Sequence, residues 1–211
     1  IDWAEGVWSP YRGYPSAVAL HAGRLGGAGK ARVRGAISAD YHSHDSTVEG
    51  DSGPINRLIG SGPVDSIRWL LSTSRLIMGG EGAEHSCRSS ALDEPLTPTS
   101  FNMKAYSKRG SAATVGGVVV DQDTLFVDKS GFRVYSLTAD TMGNHAATEI
   151  TVLCPDAARP SVVSIAAQRN PDTRVHCVRS DGKVALLVYD PLEDVKAFIV
   201  IETEGEIEDV A

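Results

Sequence analysis

The chain has 211 residues, 42% of them hydrophobic and 22% charged, which suits one all-β domain with a core large enough to need no disulfides. Its net charge of −7 repels nucleic acid unless basic residues cluster, and the alternating Lys30, Arg32 and Arg34 and the lone pair Lys108–Arg109 form no strong cluster. No apolar run approaches the roughly 18 residues of a membrane span, there is no signal peptide, and three cysteines without a CxxC pair argue against a disulfide framework or a cysteine-built zinc site.

The chain opens Ile1-Asp2-Trp3 without an initiator Met, the expectation for an excised domain or a processed product. Helical periodicity is scarce, and short β-branched runs alternate with Gly, Pro, Asp and Ser. The first strand-rich unit, residues 14–38, holds Ala17–His21, Arg24–Leu25 and Arg32–Ser38, with Gly26-Gly-Ala-Gly29 read as a hairpin loop. That loop resembles a phosphate loop only superficially, because no Ser/Thr pair and no helix follow Lys30.

Residues 39–62 read as a polar excursion carrying Tyr41-His-Ser-His-Asp45. His42 and His44 share one side of an extended segment with Asp45 nearby, but no third metal ligand stands at a fixed spacing, so the segment is a surface loop. The second unit, 63–88, holds Ile67–Leu71, Arg75–Met78, the turn Gly79-Gly-Glu-Gly82 and Ala83–Cys87. Glu81 and Glu84 read as solvated turn acids rather than a glycosidase pair, and His85 and Cys87 as strand residues packed in a core. Cys87, Cys154 and Cys177 are expected to be small buried hydrophobes of a reducing compartment.

A second polar excursion covers 89–110. The third unit, 113–138, contains a three-strand meander through Val118–Val120, Thr124–Asp128 and Phe132–Leu137 with a turn at Gly131. The fourth, 160–190, repeats it through Val162–Ala167, Thr173–Val178 and Lys183–Tyr189, with a turn at Ser180-Asp-Gly182. Residues 195–210 read as a closing hairpin. Its apolar Val195–Ile201 is expected to be sandwiched, and Glu202, Glu204, Glu206 and Glu208 to line a solvated strand face.

Aligning the second strands places Leu25, Leu76, Leu125 and Val175 at separations of 51, 49 and 50 residues. Units of this length with three or four strands predict an all-β, β-propeller-like array of antiparallel meanders forming a single domain over 1–211. A two-layer sandwich would show cleaner alternation of apolar and polar positions.

An ordered series of segments resembles the tail nozzle (tail tubular, or tail hub) proteins of short-tailed bacteriophages and related prophages. It runs through Gly13-Tyr-Pro15, Val18, His21, Arg24–Leu25, Ser66-Ile-Arg-Trp-Leu70, Leu76 with Gly79-Gly-Glu-Gly82, and Leu96-Thr-Pro98. Ser107 with Gly110, Thr124-Leu-Phe-Val-Asp128, Ala167-Gln-Arg-Asn-Pro171, Val178-Arg-Ser-Asp-Gly182 and Val195-Lys-Ala-Phe198 continue it. Phe198 stands where a Trp is usual, and Ala22–Gly23 replaces a polar pair.

The resemblance implies a non-enzymatic virion component, made in the bacterial host cytoplasm, that forms a ring with copies of itself and with neighbouring tail and adaptor proteins. DNA passes through such a ring without specific binding. No catalytic, cofactor-binding or metal-binding residue is assigned on this reading, and no small-molecule substrate is expected. The alternative is a carbohydrate-binding or carbohydrate-active propeller. Against it stand the scarcity of Trp and the lack of an Asp-box at Ser180-Asp-Gly182. A WD-type interaction propeller lacks its Gly-His and Trp-Asp signatures here. The excursions 39–62 and 89–110 are expected at corresponding points of adjacent blades, as docking loops.

Overall fold

A computed structural model describes residues 5–59, 66–89, 94–139 and 144–211. The opening Ile1-Asp2-Trp3, the first residues of the second unit (63–65) and residues 90–93 of the second excursion lie outside the described residues. The protein is all-β. Four sheets, each of four antiparallel strands in chain order, account for every strand described, and the helical element is the 3-10 turn Thr151–Leu153. The chain divides into two compact units, Ile1–Ala105 and Tyr106–Ala211.

The first sheet comprises β1 (Ala17–His21), β2 (Arg24–Gly29), β3 (Arg32–Gly35) and β4 (Ile55–Leu58). His21 faces Arg24 across a two-residue turn, Ala22–Gly23, with φ of 49° and 70°. Positive φ at both positions gives the turn a twist that matches the flanking strands, and Gly23 adopts it without strain. The second sheet comprises β5 (Ile67–Ser72), β6 (Leu76–Gly80), β7 (Glu84–Arg88) and β8 (Asn102–Ser107).

Leu25, Leu76, Leu125 and Val175 all fall on the second strand of their sheets, as the repeat requires. The last two lie on β10 (Asp123–Val127) and β14 (Arg174–Arg179). β9 (Val118–Val120), β10, β11 (Val134–Ala139) and β12 (His145–Glu149) form the third sheet. β13 (Val162–Gln168), β14, β15 (Val184–Asp190) and β16 (Val195–Ile201) form the fourth.

Each unit buries one apolar core between its two sheets. In the first, Val33, Ile55, Ile67, Leu76, Met78 and Cys87 pack together. In the second, Leu125, Val134, Val162, Val175, Cys177 and Leu187 do. The first strands of the paired sheets run side by side, β1 beside β5 and β9 beside β13. Two polar contacts fasten β1 and the residue before it to β5: Ser16 Oγ donates to the Ile67 carbonyl at 2.6 Å, and His21 Nδ1 meets Ser72 Oγ at 2.8 Å. In the second unit the Tyr189 hydroxyl joins β15 to the third sheet, donating to Asp123 Oδ2 at 2.5 Å and lying 3.1 Å from Ser136 Oγ, all within the buried interior.

Several expectations are corrected. The excursions 39–62 and 89–110 are not wholly irregular, because each contains the fourth strand of its sheet, β4 and β8. Both strands are rich in polar residues, and β4 is also short, because an outer strand has a ladder partner on one side only and few core positions to fill. Gly26–Gly29 is strand, not loop, and the turn falls at Lys30–Ala31. A Cβ at Gly27 would sit 2.8 Å from Trp8 Cζ2, and one at Gly29 would sit 2.7 Å from the Tyr14 carbonyl oxygen, so these glycines admit an indole and a crossing backbone. Gly79 also belongs to a strand, and a Cβ there would lie 2.0 Å from Trp69 Cε2.

The closing hairpin has one arm. β16 pairs with β15, whereas 202–211 forms no strand and is held by the Ile207 N–H donating to the Gly182 carbonyl at 3.0 Å. Alternating glutamates supply no apolar face to pay for ordering a second arm. β16 is not sandwiched either: only Phe198 packs on the core, and Ile199 is 53% exposed on this edge strand. Cys154 is exposed, following the 3-10 turn at the surface, while Cys87 and Cys177 are buried. Glu84 is no solvated turn acid, because the turn ends before β7 and its side chain is fully buried.

Candidate functional site

The two turns and third strand of the first sheet bring polar side chains to one surface. On a strand, residues two apart share a face. Arg32 and Arg34 on β3 therefore share a face, and Lys30 joins them from the preceding turn as a lining residue of the same depression, which corrects their reading as unclustered. The segment before β1 adds to them. Ser9 and Gly13 bridge in a tight loop that presents Trp8 and Arg12, and Arg12 Nε donates to Glu5 Oε2 at 3.3 Å. Ser9 Oγ donates to Glu5 Oε1 at 2.6 Å, fixing that carboxylate.

Arg34 is the centre of the arrangement. It is 6% exposed, and its guanidinium carbon lies 4.7 Å from the Trp8 ring centroid, stacked as a cation on an aromatic face. Nε and Nη1 are buried without a hydrogen-bond partner among the described residues. Burial, and then the nearby Arg32 and Arg12, push its pKa below the ordinary guanidinium value. Arginine nonetheless stays charged at neutral pH. A buried cation with unfilled donors is costly unless something accepts from it.

Two depressions meet at Trp8, Arg12 and Arg34. The larger, about 740 Å³, extends between Glu5 and the loop bearing His42, His44 and Asp45. The smaller, about 150 Å³, is lined by Tyr14, Lys30 and Arg32 in addition to the shared three, with no carboxylate among its described lining residues. His44 is half-buried, and burial followed by the Arg34 charge lowers its pKa, so it is neutral near pH 7. His42 is exposed. The structure thus brings His42, His44 and Asp45 to one cleft wall. Among the described residues no group of three or more His, Cys, Asp or Glu side chains is placed to hold a metal ion.

The remaining candidates lie apart from the cleft. Glu81 pairs with Arg68 at 3.3 Å, and His85 and Cys87 are buried on β7. Burial raises the Cys87 thiol pKa to about 12, so it is an inert thiol at neutral pH. The two excursions meet each other: Thr99 Oγ1 donates to Asp51 Oδ1, and Arg57 Nη2 to the Pro98 carbonyl. Arg24, also buried, clasps the first excursion, with Nη1 donating to the Ala36 and Gly53 carbonyls at 2.7 and 2.6 Å and Nη2 to the Asp51 carbonyl.

No protein-family model matches the chain, and no curated protein is similar to it. Among solved structures, it is similar to a chain of the Chaetomium thermophilum heterotrimeric Nup82 NTD–Nup159 TAIL–Nup145N APD complex, at a TM-score of 0.56 and 15% identity. The match covers 85% of this chain and 43% of that one, so this chain spans less than half the length of its structural neighbour. At this identity the likeness is one of fold alone.

Proposed function

We propose that the chain is a propeller-like scaffold of a bacteriophage tail nozzle, working in assembly and DNA passage rather than catalysis. The observation that carries the propeller part is the fourfold recurrence of one meander, with the first strands of paired sheets lying side by side over a shared core in each unit. Blades stacked radially use this contact, since a twisted four-stranded sheet is apolar on both faces and buries them against its neighbours. The exposed Val18 and Leu20 on β1, and Ile199 and Val200 on β16, are surfaces on which further sheets or subunits would stack.

The phage assignment rests on the ordered motif series from Gly13-Tyr-Pro15 to Val195-Lys-Ala-Phe198. On this reading the joined excursions around Asp51 and Thr99 form a docking rim for neighbouring subunits or adaptor proteins, and the net charge of −7 keeps passing DNA from adhering. The test is immunogold labelling, with antibody against this chain, of particles induced from the strain that encodes it. Label at the tail, with peptides of the chain in purified particles, is the expected result. Particles free of the chain would end the reading.

A further inference from the structure

We infer that the pocket formed by Arg12, Lys30, Arg32 and Arg34 beside Trp8 and Tyr14 is a binding site for a single phosphate group. Three independent features point to it. Arg34 lines the pocket, is more than nine-tenths buried, and has two guanidinium nitrogens, themselves buried, without an acceptor among the described residues. Four cations line the pocket, and its described lining residues include no acid; of the four, Arg12 is paired with Glu5, whose other oxygen accepts from Ser9, which leaves Lys30, Arg32 and Arg34 to face a ligand. The Trp8 indole holds the Arg34 plane from one side, so the guanidinium is oriented before a ligand arrives.

Size and charge choose the ligand. About 150 Å³ is some five times the roughly 30 Å³ that a water occupies in the liquid, yet below the ~300 Å³ at which drug-sized pockets begin. That volume admits one oxyanion with residual hydration. A carboxylate would occupy one arginine fork, whereas a phosphate offers more acceptors and more charge and engages several cations at once. Arg34 supplies oriented donors, and the exposed Lys30 and Arg32 supply field and reach. The phosphate can come free in solution or as part of a nucleic-acid backbone, and this site does not depend on the tail assignment.

The experiment is isothermal titration of the 211-residue chain with inorganic phosphate, and separately with a short oligothymidylate, against chloride at equal ionic strength. Arg34→Met keeps side-chain bulk but removes the donors, and Arg32→Ala and Lys30→Ala change exposed side chains that folding does not need. Saturable phosphate binding that Arg34→Met abolishes, and that each exposed variant weakens by about threefold to tenfold, supports the site with free phosphate as the source. Oligothymidylate binding with the same sensitivities, competed by phosphate, supports it with a backbone phosphate. No saturable binding of either probe by the wild-type chain overturns the inference. So does binding that all three variants retain, which would lie elsewhere. If Arg34→Met fails to fold by circular dichroism, unchanged affinity in both exposed variants overturns it alone.

Discussion

Arg24→Met tests how the first excursion is held. Arg24 is 4% exposed and donates to the carbonyls of Ala36, Gly53 and Asp51. Methionine approximates the volume of the stem and strands all three acceptors. Stranding a buried acceptor costs about 1–3 kcal/mol, so losing the three bonds costs on the order of 3–5 kcal/mol in total, since the bonds do not add and the lost charge no longer has to be desolvated. For a unit of Ile1–Ala105, total stability is on the order of 5–15 kcal/mol. The variant should therefore lose about a fifth of it or more and melt at least about 12 °C lower, at about 4 °C or more per kcal/mol. Calorimetry with urea titration reads the loss, and limited proteolysis within 40–52 should quicken in parallel. Arg24→Lys keeps the charge with fewer donors and should fall between. A melting point within about 2 °C of wild type for Arg24→Met would refute the clasp.

Three further outcomes follow from the geometry. Ala22→Asn should stabilise by about 0.5–1 kcal/mol, because φ of 49° strains alanine while Asn-Gly suits the turn; a lower urea midpoint would contradict this. Gly79→Ala should destabilise by at least about 1–3 kcal/mol and shift Trp69 fluorescence, while Gly116→Ala, which meets nothing within 4 Å, should leave stability unchanged or slightly raised; equal effects would refute the packing role of Gly79. The Tyr189 phenol is pushed up by burial and then by its bond to Asp123, and the Cys87 and Cys177 thiols are pushed up to about 12 by burial. Each raised group gives stability that is complete below its unfolded pKa and drains as pH rises towards the folded value. The urea midpoint should therefore hold to about pH 8.5 and fall above about pH 9, with Tyr189→Phe flattening the part above about pH 10.

The second strands were legible because burial forces apolar residues onto them, so Leu76, Leu125 and Val175, all buried, repeat at a readable spacing. Ile55-Asn-Arg-Leu58 and Asn102–Ser107 were not, because an outer strand keeps only one or two core contacts and its polar residues read as loop. Gly26–Gly29 and Gly79 misled for a different reason. Glycine signals a turn locally, but here its lack of a Cβ answers a tertiary demand from Trp8, Tyr14 and Trp69. The basic cluster carried a signal that was available, the two-residue spacing of Arg32 and Arg34 on β3, with Lys30 in the turn before it. The contributions of Arg12 and Trp8 come from a loop no periodicity describes.

The contacts between β1 and β5 have a bearing on how such a chain grows by duplication. Ser16, just before β1, reaches Ile67 and His21 reaches Ser72, each 51 residues along, and the two pairs stand five residues apart along both segments. They act like two teeth of a key. A copy of the unit inserted after β4 finds its neighbour in phase whatever the length of the connecting excursion, because phase is set inside the strand. One residue added between Ser16 and His21 leaves one tooth engaged and throws the other to the opposite face. A change of length is thus better tolerated between sheets than within that five-residue span, where it costs a contact of about 0.5–1.5 kcal/mol, and relatives of this protein should differ in their excursions more than in the span.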